Sequence, residues 1–118
     1  MKKPVEIVGL LNISKQDSKV EFYITVGDNQ YKNRSIGFLS SVVLLEYAFT
    51  KLYLNKVYLN VDADNVAAIK LYSKLGFKEE GYFIKDLFIV SEENFIDRIR
   101  MAIFKDEFIR NEEVLWIF

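Results

Sequence analysis

Two stretches of this sequence carry residue types that bind phosphate and handle protons. The first follows a strand-like run, precedes a long apolar stretch, and reads Lys32, Asn33, Arg34, Ser35, Ile36, Gly37. Basic side chains beside the unpaired N–H groups of a first helical turn suit a phosphorylated ligand. The second is a predicted helix that carries Tyr72 seven residues, or two turns, after Asn65. Together they indicate a site for a phosphorylated cofactor that hands over a small group.

Each of these residues also has a purely structural interpretation. Buried tyrosines usually pack, so Tyr72 is equally compatible with an aromatic ring lying against a sheet. The basic segment by itself is better explained as a solvated turn, and only the helix pattern downstream favours a phosphate site. Glu21, on a predicted strand, is either a base or an anchor for a cationic amine, or else a solvated glutamate on a half-exposed strand.

Composition narrows the class of protein. The 118 residues are 51% hydrophobic and 15% aromatic, which suits a single domain spanning residues 1–118. A net charge of −1 argues against nucleic acid as the main partner. The chain has no cysteine and no histidine, which excludes thiolate and Ser-His-Asp catalysis and leaves no expected metal site. No apolar stretch approaches membrane-spanning length and no signal peptide is evident, so we expect a cytoplasmic protein with no membrane partner.

Hydrophobic periodicity predicts an α+β fold with the order β-β-α-β-α-β-β. Ser35 is the predicted N-cap of the first helix, in which Leu39, Val43 and Leu44 are expected to widen the buried face. Gly76 is the predicted C-cap of the second helix. The elements are predicted as strands at 5–13 and 19–26, a helix from 35, a strand at 56–61, a helix at 65–75, and strands at 77–90 and 95–104. A β-α-β crossover should make residues 21–26 and 56–61 parallel, within a mixed sheet.

The second helix carries the pattern Asn-x-x-Ala-x-x-Leu-Tyr-x-x-x-Gly-Phe, at Asn65, Ala68, Leu71, Tyr72, Gly76 and Phe77. Together with the basic loop and the strand at 97–104, it resembles the GNAT superfamily of N-acetyltransferases. The branch it most resembles holds ribosomal-protein-alanine and spermidine acetyltransferases, and the resemblance covers about residues 5–108. Two features depart from the family: Asn33 and Ser35 stand where glycines are usual, and the similarity begins at the family's second strand. A GNAT-like sheet truncated at its N-terminus, without the opening strand and two helices, is therefore expected.

The resemblance implies an acetyl-CoA-dependent transfer to a primary amine by direct attack. The acceptor would be a small molecule or peptide: a polyamine, an amino sugar or a protein N-terminus. Tyr72 is the implied general acid and Glu21 the weaker catalytic candidate. The implied cofactor-binding residues are Ile24, Thr25, Val26, Lys32, Asn33, Arg34, Ser35, Ile36, Gly37 and Asn65. The alternative is a catalytically degenerate module of the same fold that binds acyl-CoA or serves in assembly.

Self-association is also expected. Without the family's opening strand, the strand at 5–13 would have an open edge with no proline inside it. Without the two opening helices, one sheet face would remain apolar and exposed. The apolar tail at 114–118 could cover such a patch in its own or a neighbouring subunit. A two-fold homodimer is the simplest assembly.

Overall fold

The structure is a computed structural model that describes residues 6–26 and 34–108. Its elements are β1 (Glu6–Ser14), β2 (Lys19–Val26), α1 (Arg34–Thr50), β3 (Lys56–Asp62), α2 (Val66–Leu75), β4 (Lys78–Ile89), a 3-10 turn (Val90–Glu92) and β5 (Asn94–Phe104). The predicted order of elements is confirmed, with most bounds within two residues. No helix within the described residues is long and apolar enough to cross a membrane.

The five strands form one mixed sheet in the order β1-β2-β3-β5-β4. β2 and β3 are parallel, and the pairs β1–β2, β3–β5 and β4–β5 are antiparallel. The predicted mixed sheet and its parallel pair are therefore confirmed. β1 and β4 are the edge strands among the described residues.

The core lies between one face of the sheet and the two helices. Alternate strand residues point into it, so Phe22 of β2 and Leu59 of β3 are buried against Leu45 and Phe49 of α1. Leu39 and Val43 of α1 are instead 63% and 68% exposed. The expectation that these two residues widen the buried face is wrong, because the sheet covers only one side of α1 within the described structure.

The helix ends follow local chemistry. Gly76 has φ 109°, a left-handed conformation that side-chain-bearing residues rarely adopt, and it caps α2 as predicted. α1 begins at Arg34, so Ser35 lies inside its first turn. The prediction of Ser35 as N-cap is therefore wrong by one residue or more, since the cap must precede the first helical residue.

Candidate active site

A gap in the sheet opens between the two parallel strands. β2 and β3 pair only at Lys19–Lys56, Val20–Val57 and Glu21–Tyr58. Beyond Glu21, β2 stays paired with β1 as far as Val26, and β3 stays paired with β5 as far as Asp62. The two strands therefore separate after Glu21, and the facing edges lose their ladder hydrogen bonds. Unpaired backbone groups along such a gap are available to a ligand that enters it.

Both helices approach this opened half of the sheet. Leu39 and Val43 of α1 line a surface recess with Val8 of β1, and Val8 pairs with Ile24 beyond the point where the strands separate. α2 lies across the same face, with Lys74 5.2 Å from the ring centroid of Phe38 in α1. The early turns of α1 and the later turns of α2 thus lie together beneath the gap.

Tyr72 lies beneath the start of the gap. Its ring is 9% exposed and makes edge contacts with Phe22, centroids 6.3 Å apart, and with Phe77, 6.1 Å apart. Phe22 is the first β2 residue beyond the last pair with β3. No described residue hydrogen-bonds the Tyr72 hydroxyl, and burial raises the pKa of its phenol. Tyr72 does pack in the core, and its unpaired, protonated hydroxyl is also free to donate, so a role as general acid stays a prediction.

Glu21 lies on the opposite face of the sheet, at the apex of the gap. It is half-buried, and its Oε1 accepts a hydrogen bond from Asn12 Nδ2 at 3.0 Å. Its Oε2 lies 3.5 Å from Asn60 Nδ2, across the apex. The sequence did not single out Asn12 or Asn60. The only signal for Asn60 was an amide inside the otherwise apolar run Val57–Val61.

The backbone at Ile24, Thr25 and Val26 borders the gap as part of β2. Successive N–H groups of a strand point to opposite edges, and β1 occupies one of those edges. The three N–H groups therefore cannot all point into the gap; the donors available to a ligand are those of alternate residues.

The basic segment is described only in part. Lys32 and Asn33 lie outside the described residues, and Arg34, Ser35 and Ile36 are described only as the helical backbone that starts α1. Gly37 is buried, and its carbonyl accepts a 2.6 Å hydrogen bond from the buried Ser41 Oγ. The first turn of α1 thus places a residue without a side chain at a buried position.

Asn65 is the N-cap of α2. Its Oδ1 accepts a hydrogen bond from the backbone N of Ala68 at 3.2 Å. No described residue accepts from its amide NH₂ group. Asn65 therefore has a structural role that the sequence analysis did not assign, beside its predicted role in cofactor binding.

Capping and cofactor binding at Asn65 can be separated. Asn65→Ala should remove the cap and lower the free energy of unfolding by about 1 kcal/mol. Asn65→Ser keeps a side-chain oxygen that can cap but removes the NH₂ donor. We expect Asn65→Ser to unfold like the parent in urea yet bind acetyl-CoA more weakly in a thermal-shift titration. If Asn65→Ser binds acetyl-CoA as well as the parent does, then Asn65 caps α2 and has no role in binding the cofactor.

An acidic side chain on the hairpin of β4 and β5 is also held firmly. Asp97 Oδ2 accepts from the Tyr82 hydroxyl at 2.7 Å and Oδ1 from the Lys85 backbone N at 2.8 Å. The Lys85 N–H and then the Tyr82 hydroxyl lower the pKa of this carboxyl, and the bond to Asp97 raises the pKa of Tyr82. These two hydrogen bonds join β5 to β4 across the hairpin.

The gap, the buried tyrosine and the two helices together form the candidate active site. The sequence model of the acetyltransferase (GNAT) domain family matches residues 2–78, and this chain belongs to that family. The predicted resemblance to its spermidine acetyltransferase branch is confirmed by similar proteins.

Among these relatives is spermidine N(1)-acetyltransferase of Escherichia coli K12, 33% identical over 103 residues, which are 87% of this chain and 54% of the relative. The Vibrio cholerae enzyme is 31% identical over 114 residues, covering 95% and 63%. The chain thus spans about half to two-thirds of the length of these curated relatives.

Solved structures agree with the fold. A mutant form of the Vibrio cholerae spermidine N-acetyltransferase SpeG superposes with a TM-score of 0.82 at 29% identity, covering 92% of this chain and 61% of that one. A structure of the same enzyme described as dodecameric has a TM-score of 0.79 at 30% identity, covering 88% and 59%.

Proposed function

We propose that this chain binds acetyl-CoA and catalyses the transfer of its acetyl group to a primary amine of a polyamine. The observation that carries the proposal is the gap between β2 and β3, with Tyr72 beneath its start. The names of the relatives favour a polyamine such as spermidine over the amino sugars and protein N-termini that the sequence left open. A cytoplasmic location and a single domain remain parts of this proposal.

Each step of the transfer has a candidate group. The amine nitrogen attacks the thioester carbonyl carbon; the N–C bond forms, the C–S bond breaks, and the proton that the amine loses passes to solvent water. Backbone N–H groups of β2 facing the gap would bind the oxyanion of the tetrahedral intermediate. The Tyr72 hydroxyl would give its proton to the leaving thiolate, whose parent thiol has a pKa near 8.5. The first turn of α1 would hold the pyrophosphate.

Two measurements test this function. A thermal-shift titration with acetyl-CoA should raise the melting temperature, because a ligand that binds only the folded state stabilises it. Release of free coenzyme A thiol should then depend on added spermidine. Binding without thiol release for any of a panel of amines would favour the degenerate acyl-CoA-binding module. Absence of binding would contradict both the enzyme and the module.

Self-association is the expected solution state. β1 is an edge strand, and α1 exposes an apolar row at Leu39, Val43 and Tyr47. The dodecamer belongs to the relative, and a two-fold dimer of this chain stays a proposal. Static light scattering should give about twice the chain mass of 13.9 kDa. A stable monomeric mass at moderate salt would contradict it. The apolar tail at 114–118, a suggested cover for this surface, lies outside the described residues.

A further inference from the structure

A chain of polar contacts crosses the sheet face opposite the helices and ends on Glu21. Asn60 on β3 lies 3.5 Å from the Glu21 carboxylate through Nδ2, and its Oδ1 accepts a hydrogen bond from Arg100 Nε at 3.2 Å. Asn60 and Arg100 are direct cross-strand partners in the β3–β5 ladder. The three side chains therefore link β2, β3 and β5 at the level where the gap begins.

The chemistry of the three side chains determines which of them donates and which accepts in each contact. A guanidinium has only donors, and an ionised carboxylate has only acceptors. A group between them must accept on one side and donate on the other, which an amide does and a carboxylate or an ammonium group does not. The Asn60 amide is therefore obliged to turn its oxygen to Arg100 and its NH₂ group to Glu21. The 3.5 Å contact is long for a hydrogen bond, and such contacts often shorten when a ligand binds.

Arg100 is itself held in place by aromatic rings. Its Cζ lies 4.7 Å from the ring centroid of Tyr58 and 5.6 Å from that of Phe83. Tyr58 is buried, and it is also the residue that pairs with Glu21 across β2 and β3. The guanidinium thus has restricted freedom, and so does the Asn60 oxygen that it binds.

Only neutral donors touch the Glu21 carboxylate in the described structure. Asn12 and Asn60 each offer an amide N–H, and Glu21 takes part in no ion pair among the described residues. A carboxylate that is oriented but not neutralised is suited to receive a cation. Asn12 lies on β1 and Asn60 on β3, so the two amides reach the carboxylate from the strands on either side of β2.

We propose that Asn60 and Arg100 are positioning residues: they orient Glu21 at the apex of the gap so that its carboxylate anchors an ammonium group of the acceptor. This inference rests on the proposed acetyltransferase function and adds to it which face of the sheet receives the amine. It assigns Glu21 to anchoring rather than to proton removal. Loss of an anchor raises KM for the amine, whereas loss of a base lowers kcat.

A double-mutant cycle tests the positioning role. Asn60→Ala should raise KM for spermidine on the order of 10-fold with kcat little changed, and should weaken spermidine binding to the coenzyme A complex in calorimetry by a similar factor. In a Glu21→Gln background, Asn60→Ala should not raise KM for spermidine any further, because the carboxylate that Asn60 orients is no longer present. Arg100→Lys should behave like Asn60→Ala, because lysine keeps the charge but not the planar fork. Asn55→Ala, a matched deletion at an exposed position just before β3, should match the parent.

Each other outcome overturns the inference in a recognisable way. Equal losses in the parent and Glu21→Gln backgrounds would show that Asn60 acts independently of Glu21. A fall in kcat at unchanged KM would give Glu21 a role in proton transfer instead of anchoring. If the parent binds spermidine and transfers acetyl groups, and Asn60→Ala does both equally well, then the positioning role is wrong and the proposed function stands. If the parent neither binds nor acetylates any amine, then the proposed function is wrong, and this inference is wrong as well.

Discussion

Tyr72→Phe will lower kcat for acetyl transfer by about 10²-fold or more while leaving acetyl-CoA affinity nearly unchanged. The substitution keeps the ring that packs against Phe22 and Phe77 and removes only the hydroxyl. Because burial raises the pKa of this phenol above its ordinary value, the hydroxyl stays protonated, and able to donate, at neutral pH. The measurement is coenzyme A release under single-turnover conditions, where chemistry limits the rate.

The matched control is Tyr53→Phe. Tyr53 is 75% exposed, so removing its hydroxyl changes the solvent-facing surface and not the gap. Its single-turnover rate should equal that of the parent. If Tyr72→Phe also equals the parent across the pH range, the ring of Tyr72 only packs, and the thiolate leaves with a proton from water or another group.

Gly37→Leu should abolish measurable binding of acetyl-CoA, with an increase in Kd on the order of 100-fold or more. Gly37 is buried in the first turn of α1, where backbone N–H groups are unpaired and a phosphate must come within hydrogen-bonding distance. A leucine side chain there would occupy space that the pyrophosphate needs. The measurement is calorimetric titration with acetyl-CoA, beside urea unfolding of the free variant.

Overpacking alone could destabilise this variant by about 1–3 kcal/mol, so folding must be separated from binding. Gly37→Ala adds one methyl group and improves helix propensity by about 1 kcal/mol, so it offers a milder steric change. We expect Gly37→Ala to stay folded with intermediate affinity. Thr50→Leu, at an exposed position about 20 Å along the same helix, should bind like the parent. Parent-like binding by folded Gly37→Leu would place the phosphates elsewhere.

The sequence by itself determined the order of the elements, the mixed sheet and the C-cap at Gly76. These depend on local periodicity and backbone preferences, which neighbouring residues set. The helix pattern from Asn65 to Phe77 also identified the family, because it joins residues that are close in the chain. The start of α1 was misplaced at Ser35, since small polar residues suit both the cap and the first turn.

Only the tertiary structure decided where the site residues lie relative to one another. The gap depends on β2 and β3 pairing for three residues and then separating, which no local pattern records. The polar contacts that lead to Glu21 involve β1, β3 and β5, so they depend on the register between strands and join residues 9 to 40 positions apart in the chain. The exposure of Leu39 and Val43 likewise depends on what covers α1 and not on its periodicity. Long-range pairing brings these groups together, and a single sequence carries no direct signal of it.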